Sequence, residues 1–126
     1  MQSFDDKKNI QIWYLGIAQI KNNNFEINKS FALENVVFNE LLERGYDVYI
    51  GKTKGGEIDF IATKTDEKIY IQVTYLLESE KVREIEFGAF KEIEDNYPKY
   101  LLSLDKTNFS QGGIIHKNII DWLMEE

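Results

Sequence analysis

Residues 55–77 read GGEIDFIATKTDEKIYIQVTYLL, and this stretch limits the fold more than any other in the chain. Two runs in which apolar and polar residues alternate, 57–63 and 68–77, are joined by the polar turn Thr65-Asp66-Glu67. That is the pattern of an antiparallel hairpin. In the second run Ile69, Ile71, Val73 and Tyr75 fall on one face, and Tyr70, Gln72, Thr74 and Leu76 on the other. The hairpin therefore carries Glu57 and Asp59 on its first strand and sets Gln72 and Thr74 on one face of its second.

The flanking segments supply helices. Over residues 30–44, Leu33, Val36, Val37, Leu41 and Leu42 recur at helical spacing, with Ser30 as the expected N-cap and Gly45 after the last turn. Glu34 sits beside this apolar stripe, on the side of Phe38 and Leu41. Residues 46–50, YDVYI, read as a strand, and GKTKGG after them as a Gly-rich turn. A second helix is predicted over 79–94, with Val82, Ile85, Ala89, Phe90 and Ile93 as its stripe; Pro98 ends it. Residues 100–104 and 114–116 read as strands around a loop at 109–113, and 119–124 as a final helix capped by Asn118, with Asp121 three residues on. The order predicts an α/β sandwich: a mixed sheet of four to five strands with helices on its faces, antiparallel at first, then crossing over in parallel through the second helix. Residues 1–29 read less clearly. Ile10, Ile12, Trp13, Leu15 and Ile17 are apolar, and KNNNFEINKS is polar, so this part is a small hairpin, or an N-terminal extension or remnant of a preceding domain; the domain proper is 30–126.

Composition narrows the function classes. At 126 residues the chain suits one domain, and without cysteine it can hold no disulfide and no thiolate-bound metal. A net charge of −7 argues against tight nonspecific binding to nucleic acid, although Lys52, Lys54, Lys64 and Lys68 gather near the turns of the hairpin region. No apolar run is long enough to span a membrane and the N-terminus lacks a signal sequence, so the expected location is cytoplasmic. Gly51-Lys52-Thr53 resembles the end of a phosphate-binding loop. Five residues separate Gly45 from Gly51, however, and a strand follows instead of a helix, so no bound nucleotide is expected.

Metal-assisted cleavage of a phosphodiester needs acidic oxygens around a hard divalent ion, and a cation to activate water. Two adjacent strands supply these as an Asp on one and acid-x-Lys on the next, with a helix Glu added. Here Glu34 and Asp59 stand in such a frame, and Gln72-Val73-Thr74 occupies the place of acid-x-Lys. With LENVVFNELLERGYDVYIGK (33–52), GGEIDFIA (55–62), KIYIQVTYLL (68–77), REIEF (83–87), DNYPKYLLSLD (95–105) and IDWL (120–123), the chain resembles the PD-(D/E)xK, restriction-endonuclease-like fold. It is most similar to the C-terminal domain of unknown function of prokaryotic AAA+-type ATPases, over about residues 30–126. The resemblance implies a three-layer sandwich and a catalytic set of Glu34, Asp59, Gln72 and Thr74, the last two departing from the acid and the lysine. It implies weakly held Mg²⁺ or Mn²⁺ on Asp59, Gln72 and Glu57. The function implied is a degenerate nuclease-like domain, accessory to an ATPase, with weak or absent DNA cleavage. Two alternatives stay open: a noncatalytic protein-interaction or regulatory module, and an active structure-specific DNA endonuclease with a displaced lysine (Lys68, Lys54 or Lys52). The partners considered are DNA, an ATPase domain or partner protein, and a second copy of the chain. On the residues alone, Glu57 and Asp59 also read as a solvated strand face, and Gln72 and Thr74 as hydrogen-bonded polar groups under a helix. The lone His116 reads as structural, Trp122 as core or an interface anchor, and Arg83 as a side chain able to reach a phosphate.

Overall fold

The computed structural model describes residues 25–53 and 56–125. The apolar N-terminal run, its turn at Asn22-Asn23-Asn24, and Lys54 lie outside the described residues. The chain begins with helix α1 (Phe25–Glu43). The expected start was Ser30, but the helix runs through Ser30, so Ser30 caps nothing. Leu33, Val36, Val37 and Leu41 are buried as their spacing demands, whereas Leu42 turns outward. Gly45 ends the helix at φ +90°, its N–H donating to the Leu42 carbonyl while Tyr46 N–H reaches the Leu41 carbonyl.

Strand β1 (Asp47–Thr53) continues through the Gly51-Lys52-Thr53 stretch that was read as turn. It pairs antiparallel with β2 (Gly56–Lys64), which pairs antiparallel with β3 (Glu67–Val73). Residues 74–79 are irregular, so β3 stops short of the expected Leu77. Helix α2 (Glu80–Gly88) opens on Ser79, whose hydroxyl accepts from Val82 N–H. It ends six residues before the expected 94. Beyond Gly88 the backbone tightens into i→i−3 bonds from Ala89 to Glu86 and from Phe90 to Phe87. Strands β4 (Lys99–Ser103) and β5 (Ile115–Asn118) follow, each parallel to its predecessor in the sheet. Helix α3 (Ile119–Met124) closes the chain with Asn118 as N-cap, its side chain accepting from Asp121 N–H as expected.

The result is a mixed five-stranded sheet in the order β1-β2-β3-β4-β5, with three helices. Two cores lie on its two faces. Leu33, Val37 and Leu41 of α1 pack with Phe60, Ile71, Leu102, Ile119 and Trp122, which places α1 and α3 together. Phe87 and Phe90 pack with Ile58, Tyr70, Leu77 and Leu101, which places α2 on the other side. Alternation would put Ile58 and Phe60 on one face. A bulge separates them: Tyr49 pairs with Ile61 and Gly51 with Ile58, so Asp59 and Phe60 together face the single residue Ile50. That extra residue sends Ile58 toward α2, keeps Phe60 under α1, and puts Asp59 at the irregularity. No described helix is long and apolar enough to cross a membrane.

Candidate functional site

The bulge decides what Asp59 meets. Ladder pairing between β2 and β3 reaches only to Phe60 opposite Ile71; one step further the two strands are held by side chains. Asp59 N–H donates to Gln72 Oε1 at 2.9 Å, and Val73 N–H donates to Asp59 Oδ2 at 2.8 Å. Gln72 then passes the contact across to α2, where its Nε2 donates to Glu86 Oε2 at 3.1 Å. The buried Thr74 stands beside the same carboxyl, where its hydroxyl favours the charged form. Gln72 and Thr74 thus serve one side chain, as their shared parity requires, even though Thr74 lies past the end of β3.

Glu34 joins from α1. Burial pushes its carboxyl up to about 7, and the negative charges of Asp59 and Glu86 push the same way. Asp59 is pushed up to about 6, chiefly by burial; the Val73 N–H pulls it down, and Glu86 and Glu57 push it up. Glu86 is raised by burial, with the hydrogen bonds from Gln72 and Thr74 opposing. The structure therefore gathers Glu34, Asp59, Gln72 and Thr74, and adds Glu86. Glu57 is exposed and acts on Asp59 only through its charge. All three carboxyls therefore hold their protons more tightly than ordinary carboxyls, and a protonated Glu34 is a hydrogen-bond donor.

The cations stand elsewhere. Lys68 lies over the rings of Tyr70 and Tyr97, four residues and about 13 Å of strand from Gln72. Lys52 lines a groove with Ile61, Tyr70 and Asp95. No hydrogen bond or ion pair among the described residues links either lysine to Glu34, Asp59 or Glu86. Arg83 does not face the acids either: it donates to the Leu77 carbonyl and its guanidinium lies 4.8 Å from the Phe109 ring centroid. No three Asp, Glu, His or Cys side chains among the described residues are arranged to hold a metal ion. The two roomier surface grooves, about 460 and 510 Å³, are lined by other residues.

Sequence spacing gave no sign of a second polar network. His116 is buried with Nε2 2.7 Å from Ser103 Oγ, and Ser103 donates to Asp105 Oδ2 at 2.7 Å. The three residue types match a hydrolytic triad, but their order does not. His116 Nδ1 accepts Phe109 N–H, so Nε2 carries the proton and donates toward the serine. The histidine cannot take a proton from Ser103 in that tautomer. Asp105 also accepts Leu77 N–H, and the network ties β4, β5 and the segment after β3 together. It is a buried, fully paired connector.

No family model matches the chain. It is 40% identical over 101 residues to an uncharacterized protein of Haemophilus influenzae, a match that takes in 78% of this chain and 24% of that protein. The chain thus spans about a quarter of the length of this relative.

Proposed function

We propose that the chain is a degenerate nuclease-like domain of the PD-(D/E)xK type, accessory to an ATPase, with weak or absent metal-dependent DNA cleavage. The observation that carries this reading is the junction of Asp59 and Gln72 on adjacent strands, with Glu34 on α1 near enough to feel the charge of Asp59. The sequence motifs support it, and so does the greater length of the relative, as expected of a domain carried within a larger protein. The departures explain the weakness. Gln72 contributes an uncharged oxygen already engaged by Asp59 N–H, and Asp59 gives one oxygen to Val73 N–H. Thr74 has no ammonium to offset charge on a phosphate or to orient water. The present set therefore fits Mg²⁺ or Mn²⁺ poorly. Both ends of the Gln72 amide are satisfied within the fold, which favours a noncatalytic interaction module as the second reading.

The test is restoration. Gln72→Glu with Thr74→Lys returns an acid and an ammonium to the same face, the lysine beside Glu86. Calorimetry with Mn²⁺ is expected to show little binding to the parent and measurable binding to the double variant. Branched and linear DNA incubated with Mg²⁺ or Mn²⁺ then reads activity, with Asp59→Ala as control. Tight Mn²⁺ binding by the parent would refute the degenerate reading, and no gain in the double variant would refute the nuclease frame.

A further inference from the structure

Strand β1 is one of the two edges of the sheet, and no described strand pairs with its outer side. It is seven residues long and has no proline, and the extra residue of the bulge lies in β2, so neither device blunts this edge. Val48 packs with the α1 core, which puts Ile50 on the α1 face and Tyr49 on the α2 face. Both are open to solvent, Tyr49 58% and Ile50 67% exposed. The other edge, β5, is four residues long, and its Lys117 pairs with Glu125. A long edge with apolar side chains open on both faces is a template for another strand.

We infer that β1 pairs antiparallel with β1 of a second copy of this chain, around a two-fold axis at Tyr49. The charges on the strand select this occupant. Asp47 is exposed near one end and Lys52 near the other, and neither is in an ion pair among the described residues. Antiparallel pairing about Tyr49 sets Lys52 of each copy one residue away from the position facing Asp47 of the other, at both ends of the ladder. Lys52 lines the groove on the α2 face with Ile61 and Tyr70, and Asp47 lies on that face by alternation with Tyr49. Opposite charges therefore meet twice. A parallel partner in register would set Asp47 beside Asp47 and Lys52 beside Lys52.

The apolar side chains match in the same register. Tyr49 stands opposite Tyr49 of the other copy on the α2 face, and Ile50 opposite Val48 on the α1 face, aromatic and β-branched pairs of the kind that stabilise neighbouring strands. The same patch serves both copies, so the contact is isologous and closes at two. The two five-stranded sheets become one continuous sheet, with the unpaired N–H and C=O groups of both edges satisfied. Seven residues of edge are fewer than the roughly 20–30 residues a side of a standard interface, so the dimer forms at high protein concentration.

Sedimentation equilibrium of the full-length chain at rising concentration is expected to show monomer and dimer and nothing larger. The double variant Tyr49→Lys, Ile50→Lys changes two exposed positions, so it should keep its circular dichroism and stay monomeric. Asp47→Lys is expected to weaken the dimer about tenfold, since it loses two attractions and sets lysine near lysine. Asp47→Lys combined with Lys52→Asp should recover most of that loss, because exchanging the two charges preserves the antiparallel match. A parent chain that stays monomeric at every concentration overturns the inference, as does association beyond two copies. A dimer that survives Tyr49→Lys, Ile50→Lys uses another surface and overturns it too. Loss in Asp47→Lys without recovery in the exchanged pair overturns the antiparallel arrangement.

Discussion

Glu34, Asp59 and Glu86 are carboxyls whose folded environment favours the proton, and that fixes the sign of a pH effect. Each folded pKa lies above the ordinary carboxylate value, so the folded chain binds more protons than the unfolded one through this window. Their contribution is whole below the ordinary carboxylate values of 3.8 to 4.5 and is lost as pH rises from there through about 6 for Asp59 and about 7 for Glu34. The urea midpoint is expected to fall between pH 5 and pH 8. Glu34→Gln should flatten that fall and gain about 1 kcal/mol at pH 8, a figure reduced for the water that still reaches this half-buried side chain. A midpoint independent of pH, or a steeper fall in the variant, would contradict this assignment. Alternation puts Gln72 and Thr74 on one side of their strand, but the Asp59–Gln72 encounter depends on the bulge, which alternation does not foresee. Apolar spacing passes over Glu86. It puts Ile85 in the stripe of the second helix, yet Ile85 is 63% exposed. Glu86 stands four residues from both Val82 and Phe90, so a charged residue within the apolar stripe was the available signal.

The elements show why Gly51 and Arg44 are where they are. A Cβ on Gly51 would come within 2.9 Å of the Ile61 side chain and 3.1 Å of Ile58 Cβ, because the bulge turns both isoleucines toward β1. The glycine that suggested a phosphate loop is favoured by this close packing. Gly51→Ala is expected to cost about 1–3 kcal/mol in chemical unfolding, and a neutral result would mean that the β1–β2 register differs. Arg44 joins α1 to α3. It bonds Glu40, donates to the Trp122 and Glu125 carbonyls, and its guanidinium lies 4.4 Å from the Trp122 ring centroid. Arg44→Lys should recover little of the roughly 1–3 kcal/mol lost in Arg44→Ala, since an ammonium cannot bond both carbonyls and cover the ring in one geometry. Thermal melts of the two variants make the comparison. Periodicity gives the type of each helix and strand, but residues 51–53 are strand where the glycines suggest a turn, α1 starts earlier than Ser30, and α2 ends sooner than its apolar spacing predicts. Ser30 looked like a cap although the helix continued through it, and Gly88 at the end of α2 was passed over in favour of the apolar residues beyond.

For the whole molecule, the mixed sheet with helices on both faces followed from the order of elements and the handedness of crossovers. The bulge did not, because it depends on how β1 and β2 settle against two different cores. Strand order equals chain order throughout the sheet. Each strand after β1 has its neighbour on one side already made when it leaves the ribosome, and none waits for a later strand to be inserted between earlier ones. The sheet can therefore grow vectorially, with β1 to β3 forming local hairpins before α2 and β4 add the first distant pairing. Stopped-flow refolding in the millisecond range, with amide protection appearing in β2 and β3 before β5, is the behaviour this order predicts. Synthesis and folding then proceed in the same direction, one strand at a time.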